Sequence, residues 1–542
     1  MAPTRTVAVE LTELPARDTL ESGLATPSGL VTPMNEARTF AVDQFHGLTR
    51  SRRVLIMGLV IMVNLVQFVS NFTTVSAGFT FSELLGRDVG PGQANWLAAA
   101  YSLTQGAFVL ISGRLGTIYG HQRTLLAGAG IFTLFTFMNA WSNNYVAFIA
   151  ARALTGVGGG ILMPNCVATI TLMVPPGRWR NVALGCFGAS APVGGYFGGL
   201  LAALFTEVTT DWKWLFIFLT LLQGSIIAAL YFSMPVDQPL DKNGKIDFVG
   251  SVLGLSSLIL FGTVWNQAPS AGWEAPYLIA ILILSLVLFG LFLYWEGNYA
   301  KEPVMPLTIF KTPTFTALIF VVVMSYMGFA VGQWYTITWL QQVRGWSVMD
   351  TAVGYTPFII IGPISVAMAA WFLPRMAAQW ILAMGIVVVV AATLLIATMP
   401  EQQTYWAQAF PAIILSCLSP DFVYVAAQLI ASNSVGRRYQ GVAGSLIGTL
   451  NLYGNSLGIG FAGTIESQVM KYKNDHVLGL RSAVFFGCAI ALVALVMDIM
   501  WVRVPKDNRE GWETSEEQVE ALVVGTGHRL GGEELQQLPH RR

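Results

Sequence analysis

Residues 113–123, GRLGTIYGHQR, form a short polar break in an otherwise apolar part of the chain. The 24 residues before it (89–112) carry no charge, and neither do the 28 residues after it (124–151). Three glycines, two arginines and a histidine are crowded into the break. A membrane helix needs roughly 20 predominantly apolar residues, so the break is predicted to be a tight turn between two such helices.

The composition of the whole chain supports a membrane protein with many spans. Of 542 residues, 54% are hydrophobic and 11% are charged, against about 25% charged in a soluble domain. Mean hydropathy is +0.59. The net charge of zero excludes strong electrostatic attraction to nucleic acid. Residues 1–50 are polar and mixed in charge, so no signal peptide is expected.

Few residues suggest cofactor or metal chemistry. Four cysteines lie in apolar runs without CxxC spacing and are predicted to be small buried hydrophobes: Cys166, Cys186, Cys417 and Cys488. The sequence has no P-loop, nucleotide-binding cassette or HExxH motif. We therefore expect no cofactor, no metal and no enzymatic activity, and transport driven by an ion gradient.

Fourteen apolar runs are long enough to be spans, which predicts an all-α membrane protein. They lie near 54–77, 95–114, 124–141, 145–164, 182–205, 214–234, 248–265, 277–295, 314–336, 352–373, 380–399, 408–431, 441–465 and 481–502. Alternating ten-residue segments typical of a membrane β-barrel are absent from the sequence.

The positive-inside rule predicts that both tails are cytoplasmic. Eleven cations fall in the connections on the side of the first tail: Arg114, Arg123, Arg178, Arg180, Lys242, Lys245, Lys301, Lys311, Arg375, Arg437 and Arg438. Six fall on the opposite side: Arg87, Lys213, Arg344, Lys471, Lys473 and Arg481.

An internal repeat divides the spans. An offset of 260 residues places Gly188, Gly194 and Gly198 over Gly448, Gly454 and Gly458, and Arg178 over Arg438. The fifth span thus corresponds to the thirteenth, and spans one to six to spans nine to fourteen. We predict a cytoplasmic tail (1–50), a six-helix half (51–235), an inserted helix pair (236–312), a second six-helix half (313–503) and a second cytoplasmic tail (504–542).

Three short motifs resemble the major facilitator superfamily, and in particular its fourteen-span drug:proton antiporter branch of fungal type. GRLGTIYGHQR resembles the loop GxLaDrxGrkxxl between spans two and three, with Thr117 in place of the acidic residue. ARALTGVGGG (151–160) resembles the fourth-span motif RxxqGxg. GASAPVGGYFGG (188–199) resembles the fifth-span motif GPxxGG. The resemblance covers nearly all of residues 54–503 and implies a major facilitator fold.

The first motif is interpreted as a gate or as a simple turn. Gly113 and Gly120 are predicted to let the backbone turn tightly, and Arg114 and Arg123 to lie at the anionic cytoplasmic interface. In the family the loop resembles a latch for one access state, but Thr117 lacks the charge for an ion-pair version. The alternative is a positive-inside turn without a gating role.

The fifth span carries small residues at intervals of four, a pattern typical of close helix packing. The predicted packing residues are Gly188, Pro192, Gly194, Gly195, Gly198 and Gly199, with Pro192 adding a kink. The family resemblance adds a second interpretation, a seal against proton leak.

Arg152 and Asp421 are the candidate coupling residues, since a charge inside a membrane span is costly and needs a reason. Arg152 matches the fourth-span motif; it is either a cation lining the cavity or an arginine capped by carbonyls. Asp421 follows Pro420 in the predicted span twelve, where the helix is expected to bend. It is either the proton carrier or an aspartate bonded to Ser416 or Ser419.

The remaining polar and aromatic residues of the spans receive simpler interpretations. Asn64, Gln67 and Gln105 are predicted to line a substrate cavity or to bond across helices. Glu466 and Asp498 are expected at the rim, near span ends. The aromatic residues near the outer end of span nine are assigned first to the interfacial belt: Trp334, Tyr335 and Trp339. His121 is expected in a loop.

The predicted function is proton-coupled efflux of amphipathic small molecules such as drugs, toxins or secondary metabolites, by a multi-pass protein of the cell membrane. A vacuolar membrane is the alternative location. The expected partners are the substrate, protons and lipid, and the protein is expected to be monomeric. Two alternatives remain open: a proton-coupled transporter of a small polar solute (amino acid, borate or ammonium), and a nutrient sensor that does not transport.

Overall fold

The structure, a computed structural model, describes residues 48–86, 94–174, 177–209, 211–235, 239, 241, 244–435 and 439–503. Nearly all of both predicted tails lies outside these residues. So do four of the cations in the positive-inside count: Arg87, Lys242, Arg437 and Arg438.

All regular structure in the described residues is helical. The long helices are α1 (Arg50–Ser76), α2 (Asn95–Tyr119), α3 (His121–Ala140), α4 (Tyr145–Met173), α5 (Arg178–Ala203), α6 (Lys213–Ser233), α7 (Phe248–Ala271), α8 (Pro276–Asn298), α9 (Pro313–Thr338), α10 (Pro357–Phe372), α11 (Ala378–Ala397), α12 (Ala409–Ser434), α13 (Gln440–Lys473) and α14 (His476–Trp501). Shorter segments are Gly78–Leu84, Leu204–Val208, Leu307–Lys311, Trp339–Val343 and Val348–Gly354. In the described part of the chain, 11 helices are long and apolar enough to cross a membrane; α2, α3 and α13 are not among them.

Local sequence explains where several helices begin. Asn144 and Asp475 precede α4 and α14, and their side chains accept hydrogen bonds from the first turn of each helix. Pro276 and Pro313 occupy the first positions of α8 and α9, where a missing N–H costs nothing and the fixed φ suits a helix.

The predicted turn at residues 113–123 is much shorter than expected. Helix α2 continues through Gly113 to Tyr119, and only Gly120, with φ +97°, separates it from α3. That φ favours glycine, so the turn assigned to Gly120 is confirmed and the one assigned to Gly113 is wrong. His121 is the first residue of α3 and is buried.

The two largest hydrophobic cores come from separate stretches of the chain. The first is built from residues between Ile56 and Met234, joined by Val348 and Ala352. The second is built from residues between Phe292 and Val502, joined by Leu110. Cys166 and Cys417 are buried as predicted, whereas Cys186 is exposed.

The glycines related by the 260-residue offset make the same kind of contact in both stretches. A Cβ atom on Gly194 of α5 would lie 2.8 Å from the carbonyl oxygen of Leu65 on α1. One on Gly454 of α13 would lie 2.9 Å from the carbonyl oxygen of Val323 on α9. Gly198 and Gly458 repeat the contact one turn later. Small residues therefore let α1 and α5, and likewise α9 and α13, touch at the backbone.

The glycines of α5 are not equally constrained. A Cβ on Gly198 would lie 2.6 Å from the carbonyl oxygen of Val69, whereas one on Gly195 meets the ring of Phe72 at 3.3 Å. A Cβ on Gly199 meets the Ser76 hydroxyl at 2.9 Å, and one on Gly188 lies 3.6 Å from Val366. The tightest stripe is thus formed by Gly194 and Gly198.

We predict that Gly198→Ala destabilises the protein by about 1–3 kcal/mol, because a methyl group there must push two backbones apart. Gly188→Ala is the matched control on the same helix, since its methyl group would make an ordinary contact. The thermal midpoint of the purified protein in detergent measures both. Equal midpoints for the two variants would contradict the packing argument.

Candidate functional site

Arg152 of α4 is fully buried and bound to two neighbouring helices. Its Nη1 donates to the hydroxyl of Ser70 at 2.9 Å, and Nη2 donates to the carbonyl oxygen of Ser70 at 2.8 Å. The guanidinium also lies over the ring of Tyr101, 5.1 Å from its centroid. Gly156 and Gly159 make room for this arrangement, because α4 contacts Tyr101 of α2 at both positions. Arg152 therefore ties α4 to α1 and α2.

The three predicted polar residues of α1 and α2 divide into two groups. Asn64 donates to the hydroxyl of Ser190 at 2.8 Å and to the carbonyl oxygen of Phe187 at 3.3 Å, which links α1 to α5. Gln67 is 1% exposed, and neither amide atom has a partner among the described residues. The amide nitrogen of Gln105 and the hydroxyl of Tyr101 are likewise buried without a partner there. Gln67 and Gln105 thus keep buried amide atoms without a partner, whereas Asn64 ties α1 to α5 through its nitrogen and leaves only Oδ1 unpartnered there.

Asp421 lies half-buried on α12, and its surroundings do not show the expected hydrogen bond to Ser419. Its Oδ2 is buried and has no hydrogen-bond partner within the described part of the chain, and the same holds for the Ser419 hydroxyl. The hydroxyl of Ser365 on α10 lies beside the carboxyl group and donates to the carbonyl oxygen of Leu418 at 3.1 Å. Tyr326 of α9 contacts the residue before Asp421. Tyr326 donates to the carbonyl oxygen of Pro420 at 2.8 Å. The carboxyl thus keeps one oxygen free in a setting of hydroxyl groups.

Arg152 and Asp421 bind different neighbours and occupy different levels of matching helices. Two similar glycine contacts align α4 with α12. A Cβ on Gly128 of α3 would lie 2.9 Å from the backbone nitrogen of Leu162 on α4, and a Cβ on Gly385 of α11 would lie 3.1 Å from the backbone nitrogen of Val423 on α12. By this match Asp421 corresponds to Gly160, and Arg152 to Ile413, eight residues away. Eight helical residues span about 12 Å.

Two helix pairs join the first core to the second. Asn95 of α2 donates to the carbonyl oxygen of Ile459 on α13 at 3.4 Å. Near the other end of α2, a Cβ on Gly113 would lie 2.9 Å from the hydroxyl of Ser445. Helices α5 and α10 form the second pair. We call the boundary between the two cores, from the α2–α13 pair to the α5–α10 pair, the seam. Asp421 lies beside the seam, near α10.

One end of the seam is closed by aromatic and polar contacts. Trp334 of α9 donates to Asn95 at 3.0 Å and stacks on Phe79 at 5.3 Å. Gln341 donates to the carbonyl oxygen of Ser76 at 2.8 Å, and the amide of Met349 donates to Glu207 at 3.0 Å. The prediction that Trp334, Tyr335 and Trp339 sit in an interfacial belt is wrong, because all three are at most 2% exposed.

The motif residues at the opposite end are bound to neighbours that the sequence did not suggest. Nδ1 of His121 lies 2.8 Å from Oδ1 of Asn165, whose amide nitrogen donates to Ser112 and Ile161. Oδ1 of Asn165 is therefore the acceptor, which requires a proton on Nδ1 of His121. Arg114 forms ion pairs with Asp241 and Glu302, and Arg123 is exposed.

Two acidic residues expected at the rim are instead buried. Glu466 is 4% exposed and accepts a hydrogen bond of 2.7 Å from the hydroxyl of Tyr335. Asp498 is fully buried, and its two oxygens have no partner among the described residues. Position near a span end was a poor guide, because neighbouring helices cover these side chains.

The model of the Major Facilitator Superfamily matches residues 63–459 of the chain. The chain belongs to this superfamily. It is 32% identical to a low affinity ammonium transporter of Saccharomyces cerevisiae over 74% of this chain and 79% of that protein. It is 31% identical to the efflux pump terJ of Aspergillus terreus over 82% and 88% of the two chains.

Solved structures show the same fold at low sequence identity. The structure of an auto-inhibited peptide transporter of the POT family covers 84% of this chain and 99% of its own, with a TM-score of 0.60 and 15% identity. The protein is therefore a multi-pass membrane transporter of the Major Facilitator Superfamily, similar to its fungal efflux-type members.

We predict that Arg152→Lys lowers stability by about 2–4 kcal/mol, because an ammonium group cannot reproduce the paired bonds to Ser70 together with stacking on Tyr101. Arg123→Lys is the control, since Arg123 is an exposed cation on the neighbouring helix α3. The thermal midpoint in detergent measures the difference. A midpoint for Arg152→Lys equal to that of Arg123→Lys would show that the charge alone suffices.

Proposed function

We propose that this transporter exports amphipathic small molecules in exchange for protons. The observation that carries the proposal is Asp421, a carboxyl group beside the seam with one oxygen unpartnered in the described structure. Similarity to an efflux pump supports the direction of transport. The substrate would bind between the two halves, which take turns in exposing it to each side of the membrane.

We propose fourteen spans arranged as two six-helix halves, α1–α6 and α9–α14, with α7 and α8 inserted between them. The separate cores and the matched glycine contacts support this layout. Both tails would lie in the cytoplasm, and the end closed by Trp334 and Asn95 would face outward. The plasma membrane is the proposed location.

The proposed proton step follows from electrostatics. An ionised carboxylate in a site with little water is costly unless a partner offsets its charge. Asp421 has no cation among its described neighbours, so a proton or a bound substrate is needed to stabilise it. Competition between proton and substrate for one carboxyl group is sufficient to couple their movements in opposite directions.

The proposed substrate cavity combines few polar groups with many apolar ones. Gln67 and Gln105 each offer an amide on the α1–α2 side, and Asp421 and Tyr326 offer a carboxyl and a phenol ring on the other. Such a surface suits a ligand with an apolar body and one or two polar groups. Arg152 would act as a positioning residue, because both of its Nη atoms donate to Ser70.

A small polar solute is the second candidate substrate class. Similarity to a low affinity ammonium transporter supports it, as does the side-chain amide of Gln67, whose two atoms have no partner among the described residues. A screen of toxins, metabolites and small amines, comparing a deletion strain with an overexpressing strain, separates the two. Resistance to amphipathic toxins on overexpression supports efflux, whereas a change in amine uptake alone supports the second candidate.

The proposed topology predicts that tags at both ends of the chain are inaccessible in intact cells and become accessible after permeabilisation. A tag in the α7–α8 connection (272–275) provides the external control, because the layout places that connection outside. Labelling of a terminal tag in intact cells would contradict the fourteen-span arrangement.

We predict that Asp421→Asn abolishes substrate accumulation driven by a pH gradient in inverted vesicles. Exchange of labelled for unlabelled substrate should persist, because exchange needs no net proton movement. Asp421→Glu keeps the carboxyl group and should keep part of the coupling. Glu401→Gln, at an exposed loop carboxyl, is the matched control. A well-folded Asp421→Asn protein that still accumulates substrate would place the coupling group elsewhere, with buried Asp498 the next candidate.

A further inference from the structure

The two ion pairs of Arg114 connect the end of α2 to both flanks of the inserted helix pair. Nη1 of Arg114 lies 3.1 Å from Oδ2 of Asp241, in the connection before α7. Nη2 pairs with Glu302, in the connection after α8. These acidic residues therefore supply the negative charge that the family loop carries at the position of Thr117.

Backbone hydrogen bonds hold the same three segments together. The amide of Asp241 donates to the carbonyl oxygen of Thr117 at 3.0 Å, and the amide of Lys245 donates to Oε2 of Glu302 at 2.9 Å. The Thr117 hydroxyl is turned inward and donates to the carbonyl oxygen of Arg114 at 2.8 Å. Asp241, Lys245 and Glu302 are thus bonded together at the last turn of α2.

Helix α7 also lies across the seam between α2 and α13. Trp96 of α2 donates to Gln267 at 2.7 Å. From the other side, Tyr453 of α13 donates to the carbonyl oxygen of Leu258 at 2.9 Å, and Asn266 donates to Ser456 at 3.0 Å. Through α7 the inserted pair therefore contacts both members of the α2–α13 pair.

We propose that Arg114, Asp241 and Glu302 form an ionic clamp that fixes the inserted helix pair to α2 and that opens and closes during transport. The inference rests on the proposed function, since it assumes that the two halves move relative to each other. When α2 and α13 shift, the inserted pair cannot keep all of its contacts with both. Contacts on the α2 or the α13 side must then yield.

The clamp has the strength expected of a reversible contact. The side chains of Arg114, Asp241 and Glu302 are 35%, 37% and 39% exposed. Ion pairs with this much exposure are individually weak and are screened by salt. Two such pairs on one guanidinium can favour one state without trapping the protein in it.

Hydrogen exchange of the purified protein, followed by mass spectrometry, tests the clamp directly. Arg114→Gln, and the double variant Asp241→Asn with Glu302→Gln, should raise exchange in the peptides that contain the amides of Asp241 and Lys245. We expect an increase of about fivefold, the factor that corresponds to one weak ion pair. High salt should raise exchange in the wild type and have less effect in the variants.

The control is the ion pair between Lys471 of α13 and Glu274 in the α7–α8 connection. It also links the inserted pair to the rest of the protein, with Nζ of Lys471 2.9 Å from Oε1 of Glu274, but the two side chains are 60% and 88% exposed. Lys471→Gln should leave exchange near Asp241 unchanged. A further variant adds Thr117→Asp to the double variant. Residues three apart on a helix are neighbours, so the new carboxyl group can pair with Arg114. It returns a charge to Arg114 but not to the inserted pair.

This variant separates the need of Arg114 for any acidic partner from its need for a partner on the inserted pair. Arg114→Gln and the double variant should both reduce transport of the compound found in the screen. Adding Thr117→Asp should leave transport reduced and exchange near Asp241 high, because the new ion pair lies within α2. Wild-type exchange in both Arg114→Gln and the double variant would overturn the clamp. Raised exchange with unchanged transport would overturn its role in the cycle. If the wild type transports no compound, the proposed function fails, while the exchange result still decides whether the clamp exists.

Discussion

Contact between helix backbones is the constraint on which the rest of the structure depends. Lipid chains are as apolar as leucine, so helices in a membrane associate through close packing and hydrogen bonds. Glycine permits that packing where α5 meets α1 at Leu65 and where α13 meets α9 at Val323. The same closeness sets the polar geometry, because Gly156 brings α4 against α2 and so places Arg152 within reach of Tyr101.

The sequence predicted features that depend on neighbouring residues and missed those that depend on distant ones. Helix positions and the turn at Gly120 follow from hydropathy and backbone preference, which are local. Gly113 was misassigned because a glycine signals a turn and a close helix contact equally well, and only Ser445 across the seam decides between them. Glu302 lies 188 residues from Arg114, and no pattern in the sequence links the two.

The polar residues of the spans differ in how they are bonded to neighbouring helices. Asn64 and Arg152 looked as suitable for a cavity as Gln67 and Asp421, since all four interrupt apolar helices. In the structure Asn64 and Arg152 bond to neighbouring helices, and each keeps only one buried atom without a partner among the described residues, Oδ1 of Asn64 and Nε of Arg152. Gln67 leaves both amide atoms in that state, and Asp421 leaves Oδ2. Leaving such atoms unpaired costs stability, and a ligand or proton that completes them recovers part of that cost.

The repeat also explains why charge is distributed unevenly between the proposed halves. Helices α4 and α12 make similar backbone contacts with α3 and α11, so a position on α4 can be compared with the corresponding position on α12. On α4 the level of Asp421 is occupied by Gly160, whose missing side chain lets α4 approach α2 at Gln105. A carboxyl group there would force these helices apart, whereas α12 accommodates one beside Ser365. The close contact at Gly160 thus leaves no room for a carboxyl group at this level of α4. In the proposed cycle, rocking then moves Asp421 relative to the amides of Gln67 and Gln105, which changes what can stabilise its charge.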